Sequence, residues 1–345
     1  MIQGMRRSER SLKKKIKEEE LDGLIITEPH NVFYLTGSRV EGTGLVTQEE
    51  SFLIVSPVFA EEAKRELGGW EIVVHAGRLD EVLERTWKKR GSRLGFETSN
   101  LSYDEHQRLS RIKNIELIPC RGWVEELRMT KDEAELARME ESTKVAHSAL
   151  EYLETKLRVG VSEKEISQEA ACFLSKRSEG ESFPSIVLFG DRTSLPHGRP
   201  SGRKLKQNEV VLADLGARVE GYCSDLTRTF FFGQVQRKWK RIFDLVTQIQ
   251  RQVMEEIKPG ARSGEINEML KERMEKAGYR DAFLHGSGHG IGIDVHEAPF
   301  FNPDSKYIFR EGMVVTVEPG IYLSGEGGVR VEKMVVVTKR GNRVL

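Results

Sequence analysis

VLADLGARVEGYCSDLTRTF, residues 211–230, decides how this chain is read. Two aspartates stand where an apolar β-hairpin would carry hydrophobic residues. Asp214 interrupts the run Val210-Val211-Leu212-Ala213, and Asp225 follows the turn-like Val219-Glu220-Gly221. Opposed residues of an antiparallel hairpin are equidistant from its turn, and Asp214 and Asp225 centre on Val219-Glu220. Directly opposed, their β-carbons would lie about 4.5–5.5 Å apart on one face.

The same form recurs downstream. GMVVTVEPGIYL (312–323) pairs naturally with GGVRVEKMVVV (327–337), and Glu318 and Glu332 centre on Gly325. Pro319 must disturb the strand beside Glu318, because proline cannot donate to a ladder. The two segments read as weak internal copies. A single acid in a strand is ordinarily a strand-end or turn residue. Two hairpins of the same form outweigh that reading. Like charges facing each other in a sheet repel, and burying them unpaired costs several kcal/mol each. A shared proton is one escape. Four converging carboxylates are matched more naturally by two divalent cations.

HGSGHGIGIDVHE (285–297) places His285, His289 and His296 among four glycines, a backbone that allows close approach to a ligand. His289 is central enough to give a metal a neutral nitrogen. His197 lies in SLPHGRPSG (194–202), a loop by its Pro and Gly content. Arg330 shares strand parity with Glu332 and so should meet the acids, whereas Lys333 should face away. Thr227 shares parity with Asp225 and could bond a ligand carboxylate. Cys223 reads as a small buried residue, with no second cysteine at zinc-site spacing. GSGHGIG is not a dinucleotide-binding glycine pattern, Ser287 is not in a nucleophile elbow, and no phosphate-binding loop is present.

The rest of the chain sets the frame. Its 345 residues suffice for two domains. Hydrophobic residues make up 38% and charged ones 31%, with 54 basic against 54 acidic residues, which gives no support for nucleic-acid or anionic-membrane binding. The charged start MIQGMRRSERSLKKKIKEEELDG lacks the apolar core of a signal peptide, and no apolar run is long enough to span a membrane. Three scattered cysteines argue for a reducing compartment, so the expected location is cytoplasmic. Residues 1–127 read as an α/β domain: helices at Arg6–Glu20, Pro57–Leu67, Leu79–Lys89 and Tyr103–Ile112, strands at 21–27, 51–55, 93–97 and 115–119. Residues 128–345 read as the second domain. Thr130…Glu133 has capping-box form before a long helix to Leu157, and further helices are expected at 163–176, 236–257 and 263–277.

DLGARVEGYCSDLTRTF, HGSGHGIGIDVHE, VEPGIY and GGVRVE, in that order, resemble the pita-bread-fold metallopeptidases (family M24), on the aminopeptidase P and prolidase branch. LDGLIITEPHNVFYLTGS (21–38) resembles the start of that family's creatinase-like N-terminal domain, so the likeness covers the whole chain. The implied fold class is α+β: a C-terminal pita-bread domain of pseudo-twofold αβ units around an antiparallel sheet, behind an α/β creatinase-like domain. The resemblance implies Asp214 on one metal, His289 and Glu318 on the other, and Asp225 and Glu332 bridging. It further implies a metal-bridging water or hydroxide as nucleophile, with Glu318 moving its proton. His197 and His296 would orient substrate and stabilise the oxyanion, beside Arg330. An oxygen-rich donor set with one nitrogen suits Mn²⁺ or Co²⁺, with Zn²⁺ or Fe²⁺ as alternatives.

The implied substrate is a peptide with proline second, and the implied assembly a homodimer. Prolidases often carry an arginine just after the HE-x-P segment, a place held here by Phe300. That tilts the expectation to an aminopeptidase acting on longer peptides, an Xaa-Pro aminopeptidase rather than a dipeptidase. A non-catalytic peptide-binding module or a metal-free creatinase-like hydrolase would have lost ligands, and all five are present. A methionine aminopeptidase usually lacks so long an N-terminal domain.

Overall fold

Short β-branched runs in the first unit, Met1–Arg128, become strands of one mixed sheet. The computed structural model describes residues 3–87 and 91–345. The sheet order is Glu71–Val74, Ser51–Val55, Thr43–Thr47, Gly23–Ile26, Ser92–Glu97, Ile115–Cys120. Its first three strands in chain order, Gly23–Ile26, Thr43–Thr47 and Ser51–Val55, pair antiparallel, and the remaining pairings are parallel. The helices Gln3–Glu18, Ala60–Glu66, Leu79–Thr86 and Tyr103–Leu109 fall where periodicity predicts them. The expected end of one helix at Lys89 lies outside the described residues. Two strands, Thr43–Thr47 and Glu71–Val74, and the helices Pro29–Thr36 and Trp123–Arg128 are elements that the periodicity reading leaves out.

A buried carboxylate ties this unit's loops to its sheet. Glu97 accepts hydrogen bonds from the Thr27 and Glu28 amides at 2.7 and 2.8 Å and from Asn31 Nδ2 at 2.7 Å. Burial still dominates and pushes its carboxyl up to about 7. Cys120, at the end of the last strand, is likewise buried, which raises its thiol to about 11.

The second unit, Met129–Leu345, is built twice over. In each half two helices precede a three-strand core: Glu133–Lys156 and Glu163–Ser175 in the first, Arg237–Met254 and Ser263–Lys276 in the second. The first core pairs Ile186–Phe189, Glu209–Leu215 and Leu226–Phe232, and the second His289–Gly290, Val314–Val317 and Lys333–Thr338, all antiparallel. Glu297–Phe300 and Gly341–Val344 extend the second sheet. Trp239, Ile242, Val246, Ile249 and Val253 step by three and four along one helix face and pack into a core with Val315, Val317, Val329 and Val335.

Three expectations need correction. The capping box of the long helix is Asp132 with Glu135, not Thr130 with Glu133, because Thr130 is drawn into a bridge with Met313. The expected strands 209–217, 222–232, 312–323 and 327–337 are each shorter or split in two. Finally, Asp214 faces Thr227, not Asp225, a register shift of two residues. The turn is Glu220-Gly221, flanked by the pair Val219 and Tyr222, and both turn residues have positive φ (43° and 85°). Two-residue hairpins of this kind match the right-handed twist of their strands, and glycine adopts such angles freely. A shift of two preserves parity, so the two aspartates stay on one face, diagonal to each other.

Candidate metal centre

Each long hairpin of the second unit is interrupted at its middle. The first breaks at residues 216–217 and 224–225, the second at 318–319 and 331–332. Asp225, Glu318 and Glu332 therefore sit on backbone released from its own ladder, and Asp214 two residues before a break. The freed groups pair elsewhere. Glu332 N donates to Thr227 O at 3.1 Å and Glu318 N to Ser287 O at 3.1 Å, which draws both hairpins and the His-Gly loop together. Across the second hairpin Val317 pairs with Lys333 and Gly320 with Arg330, so Glu318 and Glu332 face each other as their spacing predicts.

The convergence brings together Asp214, Asp225, His289, Glu318 and Glu332. Three overlapping donor sets emerge: Asp214-Asp225-Glu332, His289-Glu318-Glu332 and Asp225-His289-His296, with donor atoms within 4.8 Å of one another in each. Asp225 and Glu332 each belong to two sets. His289 Nε2 stands 3.6 Å from Asp225 Oδ2 and 3.5 Å from Glu318 Oε1. Its Nδ1 lies 3.0 Å from the Gly290 carbonyl, which assigns the proton to Nδ1 and leaves a lone pair on Nε2 aimed at carboxylates.

Electron-rich atoms facing one another without a donor call for a proton or a cation between them. Asp214 Oδ1 and Glu332 Oε1 are buried and have no hydrogen-bond partner among the described residues. Burial, then neighbouring Asp214 and Glu318, pushes the Asp225 carboxyl well above the carboxylate range. Glu332 is raised well above it by burial and then by Asp225, and Glu318 is raised chiefly by burial. Hard oxygens with one imidazole fit divalent metal ions, and the donor set present suits a pair of them.

Side chains around the cluster fix its shape. Thr227 Oγ1 donates to Glu332 Oε2 at 2.7 Å, as its parity predicts. Arg330 is buried, donates through Nη2 to Asp214, and through Nε to Thr227 Oγ1 at 2.9 Å. Its Nη1 reaches the Pro196 carbonyl at 3.1 Å and the Tyr322 hydroxyl at 2.9 Å. Tyr322 in turn meets His285 Nε2 at 2.8 Å, and His285 Nδ1 meets the Gly286 carbonyl at 2.8 Å. The carbonyl assigns the imidazole proton to Nδ1, so the phenol donates to Nε2. Burial, then Arg330, lowers His285 to about 4, and burial raises Tyr322 to about 12.

His296 is exposed, with its ring 4.3 Å from that of His289, centre to centre. Burial of part of the ring, then His289 and His197, lowers its pKa. His197, also exposed, is close enough to exert that influence on both His296 and His285. Neighbouring Glu297 is buried in an ion pair with Lys131 at 2.8 Å. Cys223, on the returning strand of the first hairpin, is buried, which pushes its thiol up to about 12, a small packed residue as expected.

Sequence reasoning did not assign Tyr322 or His285 a role. Tyr322 shares strand parity with Glu318 and faces Gly328 across the hairpin, the one signal that could have found it. His285 precedes His289 by four residues in a loop of irregular backbone, where no period applies.

The chain is 37% identical over 329 residues to the uncharacterized peptidase YqhT of Bacillus subtilis, a match spanning 94% of this chain and 93% of that one. The Xaa-Pro dipeptidase from Bacillus anthracis superimposes with a TM-score of 0.92 at 35% identity, covering 99% of this chain and 97% of that one. The X-Pro aminopeptidase from Thermotoga maritima MSB8 superimposes with a TM-score of 0.88 at 28% identity, covering 98% and 97%. The creatinase/prolidase N-terminal domain matches residues 10–130 and the M24 metallopeptidase domain residues 137–339. With its carboxylates and imidazole gathered where two broken hairpins meet, this chain belongs to metallopeptidase family M24.

Proposed function

We propose that this chain is an Xaa-Pro aminopeptidase, which releases the first residue of peptides whose second residue is proline. Overlapping donor sets that share Asp225 and Glu332, with orphaned oxygens on Asp214 and Glu332, carry the reading. Asp214, Asp225, His289, Glu318 and Glu332 would hold two divalent ions, Mn²⁺ or Co²⁺ before Zn²⁺ or Fe²⁺. When bound, such ions polarise a peptide carbonyl and acidify water.

The protein's own groups do the rest. Arg330 orients Asp214 and Thr227 orients Glu332, each by donating to the acid it faces. Glu318, the most exposed of the four acids, is placed to carry a proton to the leaving amine. Exposed His197 and His296 face the substrate and donate to the carbonyl oxygen as it gains charge. Residues 128–345 form the catalytic domain in this reading, and 1–127 the creatinase-like domain. The enzyme acts as a cytoplasmic homodimer, which sedimentation of the full chain would test.

The choice of longer peptides rests on Phe300, 42% exposed across the strand from His289, a side chain that cannot hold a dipeptide's carboxylate. The second reading, a strict Xaa-Pro dipeptidase, is favoured by likeness to the Bacillus anthracis enzyme. Turnover of Xaa-Pro and Xaa-Pro-Yaa peptides with Mn²⁺, Co²⁺ or Zn²⁺ separates them. Tripeptides should be preferred; cleavage of dipeptides alone would establish the second reading, and no turnover with any metal would leave a binding module.

A further inference from the structure

Beside the acid cluster the second unit holds a cleft of about 800 Å³. Leu195 and Pro196 of the His197 loop form one wall, Leu284 with the segment 278–282 another, and Tyr322 and Leu323 the floor. Each of these elements leads to the site within a residue. Pro196 O accepts from Arg330 and precedes His197, Leu284 precedes His285, and the Tyr322 hydroxyl is bonded to both Arg330 and His285. Leu195 and Leu284 leave 44% and 59% of their surface open, which lines the cleft with aliphatic surface.

Its charge is one-sided. Glu275, Asp281 and Glu326 contribute three carboxylates against one cation, Arg280. Arg280 is held by Glu275 at 2.8 Å, and Glu326 pairs with Lys238 from outside the cleft. Asp281 is exposed and has no ion-pair partner among the described residues. A negative cleft disfavours the carboxylate end of a peptide and attracts its amino end. Apolar walls leading to acids suit a side chain with a long aliphatic stem and a cationic head.

We propose that this cleft receives the first residue of the substrate and selects lysine or arginine there. The proposal rests on the Xaa-Pro reading above and deepens it. The stem of the side chain packs between Leu195 and Leu284, and its head reaches Asp281 and Glu326. The field of the same acids draws the free amino group to that side of the cluster.

The test is a panel of Xaa-Pro-Ala peptides, with Lys, Arg, Leu, Ala or Glu first, cleaved by the Mn²⁺-loaded full chain. Lys and Arg should exceed Ala in kcat/KM by about tenfold, with Glu last, and the advantage should shrink as salt screens the acids. Asp281→Asn with Glu326→Gln should reduce the Lys-to-Ala ratio several-fold, and Asp281→Lys with Glu326→Lys should bring Glu above Lys. Equal rates for all first residues would overturn the proposal and leave the Xaa-Pro reading intact. So would rates that follow the third residue instead of the first, which would give the cleft to the downstream chain. If no peptide is cleaved, the Xaa-Pro reading fails, and calorimetric affinities of the same peptides still decide the cleft: equal affinities overturn it.

Discussion

Glu163 has no exposed surface, yet the loop around His197 depends on its carboxyl group. Its carboxylate accepts from Phe189 N at 2.9 Å, Arg192 Nε at 3.1 Å, Ser201 N at 2.9 Å and Ser201 Oγ at 2.6 Å. Arg192 then donates to the Arg199 carbonyl at 2.7 Å, so one acid spans both ends of the segment that presents His197. Glu163→Ala strands a half-buried guanidinium and three further donors. Its expected cost is about 3–5 kcal/mol in urea unfolding. A well-folded residue of the population should show a raised KM, because the loop bearing His197 is no longer held. Unchanged stability would remove the carboxylate from this role.

At the scale of elements, the breaks in the hairpins matter more than the strands. Gln250, on the helix Arg237–Met254, is buried and donates through Nε2 to Val317 O at 2.8 Å and to Val331 O at 3.1 Å. Those residues directly precede Glu318 and Glu332, so one amide clasps the second hairpin where it opens. Gln250→Leu should destabilise the protein by about 2 kcal/mol and weaken divalent-ion binding by about tenfold, read by chelator competition. An unaffected metal affinity would show that the break holds itself.

Much of this level was legible in the sequence. Equal spacing about Gly325 placed Glu318 opposite Glu332 because a hairpin's geometry is arithmetic, and parity sent Arg330 and Thr227 to the acids. The first hairpin was misjudged by two residues, since the turn is set by which pair tolerates positive φ, and Glu220 gives no sign that it does. Pro319 announced the break beside Glu318, but the other breaks and Gln250 could not be read, because they depend on what the other half of the unit offers the freed backbone.

For the whole molecule, Glu97 makes stability depend on pH. Its carboxyl is raised from 4.5 to about 7, so between these values the folded chain binds a proton that the unfolded chain releases. This contribution is complete below pH 4.5 and is lost as pH rises through 7, a swing of about 3 kcal/mol at most. Other carboxylates titrate in the same range, so the measurement is the difference between the wild type and Glu97→Gln. That difference should fall across this window; a flat one would mean that the three donors outweigh burial.

The three thiols are distributed in a way that makes the molecule its own reporter. Cys172 is exposed, whereas Cys120 and Cys223 are buried, one in each unit, with thiols raised to about 11 and about 12. A maleimide pulse on the native chain should mark Cys172 alone, and full denaturant should expose all three. With Cys172→Ser as background, the rate at which each remaining site is marked in mild denaturant times the opening of its own unit. The two halves of the chain thus carry separate clocks, readable by peptide mass without any added probe.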